Sequence, residues 1–174
     1  PENIKANTYK LARPFNLAYK KDLDEKAMDL VKFVMSDEGQ KICEDEGYVG
    51  DAKGETYSPI DSDAKLTIAG STSVTPLMEK LVEAYKAKNP KVEIDIQSNG
   101  SSAGMTAAME GTAQIGMASR ELKDEEKKAL DFTVIARDGI AVIVNKENPA
   151  EDVTMDNLKQ IFTGELTDWS ELAK

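Results

Sequence analysis

At 174 residues, with 40% apolar content and a formal charge of −10 from 22 basic and 32 acidic side chains, the chain can bury one sizeable core and is too short for two large domains. The negative balance repels nucleic acid and anionic membrane at long range, yet it leaves room for a small anion held by local backbone dipoles, because salt screens distant charges beyond about 8 Å at physiological strength. Histidine is absent, which removes the usual proton shuttle and the commonest metal ligand near neutral pH.

No apolar run approaches the roughly 20 residues of a membrane span, and Pro1 to Lys10 has no signal-peptide core, so the chain reads as soluble, with any export signal outside it. From Tyr9 to Lys20 the apolar residues Tyr9, Leu11, Phe15, Leu17 and Tyr19 have strand-like spacing interrupted by Pro14, which predicts an edge or hinge strand. Ala27, Leu30, Val31, Val34 and Met35 then recur at helical spacing behind Asp22, Asp24 and Glu25, acids that suit a helix start. A second short helix runs from about Ser36 to Glu46 and ends at Gly47. The lone Cys43 on it has no partner for an internal disulfide, says nothing of redox compartment, and reads as core packing rather than a reactive thiol.

GDAKGETYSPIDSDAK, from Gly50 to Lys65, is poor in apolar residues and reads as a linker. Beyond it the order is regular: LTIAGS as strand, Pro76 to Lys88 as helix, VEIDIQS as strand, a short helix from about Ser102 to Glu110, a short strand at QIGMAS, a charged helix near Lys123 to Leu130, and the apolar stretches FTVIA and GIAVIVN. Such alternation predicts an α/β fold, a three-layer, mostly parallel sheet with helices on both faces. A last amphipathic helix spans about Met155 to Phe162, with Leu158, Ile161 and Phe162 inward and Gly164 as its stop, and Trp169 packs the end of the chain.

Three loops, each following a predicted strand, are rich in hydroxyls or carry an arginine: GSTSVTP from Gly70, NGSSAGM from Asn99 and MASREL from Met117. In an open α/β sheet such loops gather at the carboxyl edge of the strands, where ligands bind. Two of them lead into helix N-termini, which favour an anion. Ser71, Thr72, Ser73, Ser101 and Ser119 add hydroxyl donors, and Arg120 offers a charge-assisted, two-pronged pair to a tetrahedral oxyanion. Taken singly, each loop reads better as capping, turn chemistry or a solvated arginine near acids than as a ligand site; their placement after successive strands is the informative fact. Gly70 and Gly104 permit close backbone approach or serve turns. The acidic clusters at Asp22 and Asp61 lack the glycine turn and terminal glutamate of a calcium loop. A serine nucleophile would need a base or a metal, and no histidine or metal cluster supplies one, so no catalytic residue, cofactor or metal site is assigned.

AGSTSVTPLMEKLVEAYKAKNP, QSNGSSAGMTAAMEGTAQIGMASREL, FTVIARDGIAVIVNKENP and TMDNLKQIFTGELTDWSEL resemble, in order and spacing, the amino-terminal lobe of the phosphate-specific ABC transporter substrate-binding proteins, the PstS-like periplasmic binding proteins. TYKLARPFNLAYK with MSDEGQKICEDEGYV resembles the carboxyl-terminal end of the same family, here placed ahead of its head. The resemblance implies a type II periplasmic-binding-protein lobe, flavodoxin-like, divided into 1–50 (the family's carboxyl-terminal strand and helices), 51–65 (linker) and 66–174 (the family's amino-terminal lobe), together one compact domain. It implies that Thr72, Ser73, Ser101, Ser119 and Arg120 contact phosphate, with Ser71 a weaker match. It also implies an ABC permease as partner of the intact protein, an extracytoplasmic location, no nucleic acid and no enzyme activity. The family's second lobe, with its Gly-Ser-Gly-Thr-Arg loop, has no counterpart. Pro1 and Lys174 would then lie at the missing hinge, joined through a linker reaching on the order of 20 Å. Two origins fit this order: an engineered, circularly permuted single lobe, or a fragment from the junction of tandem binding proteins. An engineered lobe would serve as a folding scaffold with little ligand binding and would expose a surface for self-association. In some relatives an acid at the position of Arg120 reads the proton on phosphate, so arginine implies weaker discrimination against sulfate.

Overall fold

The computed structural model describes residues 2–6, 8–50, 54–61, 63–150 and 152–172. Pro1, Lys174 and residues 51–53 and 62 of the predicted linker lie outside the described residues. The chain forms two compact units, Pro1–Ile140 and Ala141–Lys174.

In the first unit the elements follow in the order α1 (Glu2–Lys5), β1 (Ala12–Lys20), α2 (Glu25–Met35), α3 (Asp37–Asp45), β2 (Val49–Gly50), β3 (Lys65–Gly70), α4 (Thr75–Lys88), β4 (Glu93–Ser98), α5 (Ser101–Glu110), β5 (Ile115–Ala118), α6 (Asp124–Ala129) and β6 (Leu130–Gly139). The six strands make one sheet in the order β2-β6-β1-β5-β3-β4. The joins of β3 to β4 and to β5 are parallel, whereas β1 runs antiparallel to β5 and β6, and β2 antiparallel to β6. The sheet is therefore mixed, with its parallel part confined to the β5-β3-β4 half.

Helices cover both faces because the strands are apolar on both sides. Phe15 and Leu17 of β1 and Ile115 and Met117 of β5 enter the main core beneath α2, α3 and α4, with Leu30, Phe33, Val34, Leu77, Leu81 and Tyr85. The intervening Ala18 and Ala118 face a smaller cluster with Met105 and Ala108 of α5 and Leu122 and Leu130. The side-chain period of two thus sends small residues to the α5 face and large ones to the other. Asp24 and Ser36 cap α2 and α3 as their positions suggested. The Cys43 thiol is fully buried, and burial pushes it up to about 12.

The structure corrects four expectations. First, β1 is an interior strand, wedged between β6 and β5, rather than an edge. Pro14 is tolerated there because it lies beyond the end of β5, whose pairing begins at Asn16, and beside a register shift against β6 at Phe15/Asn16. Second, the linker is docked. The half-buried Tyr57 donates its hydroxyl to Asp29 and packs edge-on against Phe33 at 5.1 Å, the Glu55 carbonyl accepts from Asp37 N–H, and Asp61 and Asp63 pair with Lys91 and Lys26. Low apolar content hid a segment held by one aromatic ring and polar contacts. Third, GIAVIVN extends no strand past Gly139, and Ile143 is 89% exposed. Fourth, in the second unit, α7 (Met155–Thr163) forms with Thr154 as cap and Gly164 in the left-handed conformation, and it buries Leu158, but Phe162 is 83% exposed. Trp169 begins a short 3-10 turn through Glu171 and is half-buried.

Candidate functional site

The parallel strands β3, β4 and β5 end in register, Gly70 beside Ser98 and beside Met117, so the three hydroxyl-bearing loops leave the same edge of the sheet. Backbone bonds lace them together. The Gly70 carbonyl accepts from Asn99 N–H and Gly100 N–H at 3.0 and 2.8 Å, and Ser71 N–H donates to the Met117 carbonyl at 3.0 Å. Ser101 Oγ accepts from Ser119 N–H at 3.2 Å. Asn16, buried in β1, donates through Nδ2 to the Arg120 carbonyl at 2.8 Å, while its Oδ1 has no partner among the described residues.

Glycines permit this closeness. Gly70 has φ +141°, and a side chain on it would meet the Met117 backbone. A Cβ on Gly104 would run into the backbone of Ala69 and Gly70, and one on Gly116 would approach the Gly104 carbonyl at 2.7 Å. The start of α5 thus lies directly on β3 and β5.

The capping alternative finds little support at these two helices. Val74, at the N-cap of α4, and Gly100, at that of α5, make no side-chain cap bond. The first N–H groups of α5, at Ser101, Ser102 and Ala103, have no intrahelical acceptor and carry the positive end of the dipole. Ser101, accepting from Ser119, retains its own proton for donation. Thr72 is exposed and Ser73 half-buried, and neither hydroxyl has a partner among the described residues. Ser71 differs: it is buried, its Oγ accepts from Val74 N–H at 3.4 Å, and its carbonyl accepts from Thr75. Its side chain serves the turn.

Arg120 is engaged in a way its neighbours in sequence did not suggest. Its guanidinium makes a two-pronged pair with Glu126, both bonds at 2.8 Å, and a third bond to the Glu121 carbonyl at 3.0 Å. The Glu126 side chain is only 4% exposed, and Arg120 holds its carboxyl below the ordinary carboxylate range, with help from Lys123 N–H. Glu126 and Asn16 are site residues that sequence reasoning missed. The capping-box position of Glu126, three residues after Lys123, was the available signal for the first; nothing local marked Asn16, which lies 104 residues from the carbonyl it binds.

A family model described as "PBP superfamily domain" matches residues 55–174, the part of the chain that carries the three hydroxyl-bearing loops. Phosphate-binding protein PstS 2 of Streptococcus agalactiae serotype V is 46% identical over 175 residues, covering 99% of this chain and 60% of that protein. PstS 2 of Streptococcus pneumoniae serotype 4 is 49% identical over 166 residues, 94% of this chain and 57% of that one. The crystal structure of a phosphate ABC transporter phosphate-binding protein from S. pneumoniae superposes with a TM-score of 0.91 at 47% identity, covering 98% of this chain and 67% of its own. A Clostridium perfringens structure, described as a phosphate ABC transporter substrate-binding protein with bound phosphate, matches at 54% identity with a TM-score of 0.54, over 62% of this chain and 45% of that one. The chain belongs to the PBP superfamily and, within it, to the PstS phosphate-binding protein family. It spans about 60% of the length of the curated relatives it matches.

Proposed function

We propose that this chain supplies one lobe of a phosphate-binding cleft, in a substrate-binding protein that delivers phosphate to an ABC permease outside the cytoplasm, and that it binds without covalent chemistry. The observation that carries the reading is the cross-linked set of loops at the carboxyl edge of β3, β4 and β5. It leaves the α5 N-terminus without a side-chain cap and the Thr72, Ser73 and Ser101 hydroxyl protons without acceptors among the described residues. Thr72, Ser73, Ser101, Ser119 and Arg120 hold the oxyanion; Ser71 shapes the turn beneath them. Fixed dipoles of this sort favour a small anion despite the chain's net charge of −10.

The segment order is native to part of the family. The S. agalactiae protein matches this chain along 99% of its length in one stretch, whereas the C. perfringens structure matches 62%, a share close to that of the segment from Leu66 onward. Under this reading residues 1–50 act as the family's closing segment, 51–65 join it to the lobe formed by 66–174, and the central place of β1 in the sheet explains why the lobe needs that segment.

The test is calorimetric titration of the chain with inorganic phosphate beside an Arg120→Ala variant. Saturable binding that the variant loses is expected. A flat titration of a well-folded chain would reduce it to a scaffold whose ligand binding requires the rest of the protein. Competition with sulfate then measures whether arginine at position 120 relaxes discrimination between the two anions.

A further inference from the structure

The pairing of Arg120 with Glu126 raises a question the binding reading leaves open: whether the carboxylate cancels the arginine or aims it. A guanidinium carries five N–H bonds in a plane. Nη1 gives one to Glu126 Oε2 and one to the Glu121 carbonyl, and Nη2 gives one to Glu126 Oε1. Three of the five are thereby used. The two that remain, Nε–H and the second Nη2–H, are adjacent and parallel on the edge of the guanidinium away from Cδ. Neither has a partner among the described residues, and the side chain is 31% exposed. Two parallel donors are the geometry that grips two oxygens of a tetrahedral anion.

Glu126 is itself fixed. Its Oε2 also accepts from Lys123 N–H at 2.8 Å, which ties the carboxylate to the first turn of α6, and the side chain is buried. Arg120 is fixed at its other end through its carbonyl, held by Asn16. Backbone and head group are therefore both anchored, and the buried Glu126 carboxylate engages Arg120 through both of its oxygens.

We propose that Glu126 is a positioning residue of the anion site: by occupying the end-on fork of Arg120 it leaves the Nε–H/Nη2–H edge as the single ligand-binding fork. The proposal rests on the phosphate-binding reading. It also carries a sign that separates it from simple charge cancellation. If Glu126 only cancels charge, Glu126→Gln raises the local positive potential and tightens phosphate binding. If it aims the fork, the amide of Gln faces the guanidinium with a donor where an acceptor is needed, and binding weakens.

The test is a titration of the full chain, labelled with nitrogen-15, with inorganic phosphate, following the Nε–H signals of its three arginines and the backbone N–H signals of Ser73, Ser101 and Ser119. Arg120→Ala identifies the signal of Arg120. The expected result is a saturable shift of the Arg120 Nε–H that follows the backbone shifts. Phosphate affinity should fall about tenfold in Glu126→Gln, and should be lost as far in Arg120→Lys, which keeps the charge without the fork, as in Arg120→Ala. Backbone shifts without an Arg120 Nε–H shift overturn the positioning role while the binding reading stands. So does Glu126→Gln binding as tightly as the parent or more so, or Arg120→Lys binding like the parent. No saturable shift at any of these groups overturns both. The wild-type Nε–H measurement depends on no variant folding.

Discussion

Tyr57→Phe removes one hydroxyl from the segment that joins β2 to β3 and leaves its ring in place. In the parent, Asp29 is buried and receives two phenols on the same Oδ2, Tyr57 at 2.6 Å and Tyr85 at 2.9 Å. Asn89 Nδ2 donates to the Tyr57 hydroxyl at 2.9 Å and to the Tyr85 carbonyl at 3.1 Å. The variant leaves the carboxylate with one phenol donor and Asn89 with one acceptor. A hydrogen bond to a charged group contributes about 1.5–3 kcal/mol, and because Tyr57 is half-buried water replaces part of it, so a loss of about 1.5 kcal/mol is expected. For a chain of this size that lowers Tm by about 3–6 °C. The urea m-value stays constant, since no new surface is exposed. Tyr57→Ala also loses the ring contacts with Phe33 and Tyr85 and costs about 3 kcal/mol or more. Far-UV circular dichroism is the suitable probe, because the only tryptophan, Trp169, lies in the 141–174 unit. If both variants stay within about 0.5 kcal/mol of the parent, the segment is a loose tether and the docking argument fails.

Two further outcomes follow from the site. Because Arg120 holds the Glu126 carboxyl below its ordinary 4.5, the pair contributes stability that is complete above that pH and is lost as pH falls through the lower folded value. Denaturant titrations across this acid range should show that Glu126→Gln flattens the pH dependence, and an unchanged slope would refute the pairing. Gly104→Ala places a methyl against the backbone of Ala69 and Gly70, which should cost about 1–3 kcal/mol by overpacking and displace the α5 N-terminus. Unchanged stability together with unchanged phosphate affinity would show that α5 does not need its close seat.

Much was legible along the chain because it depends on neighbours a few residues apart. The alternation from Leu66 to Ala136, the helix starts at Asp24 and Ser36 and the stop at Gly164 are local patterns, and the structure repeats them closely. The three loops were legible for the same reason, each being a strand end followed by small hydroxylic residues.

What sequence alone determined is therefore most of the elements, though not α1 or β2, together with the α/β class and the loops that gather at one edge. The tertiary structure decided the rest. It placed β1 inside the sheet, where Pro14 is tolerated because β5 does not reach it. It bound Tyr57 to Asp29, 28 residues away, and Asn16 to Arg120, 104 residues away. It also set Arg120 against the buried Glu126, rather than leaving it among the acids nearest in sequence. These are contacts between distant or buried groups, whose partners are chosen by the geometry of packing and by the cost of leaving a buried polar atom unpaired, and no local pattern records either.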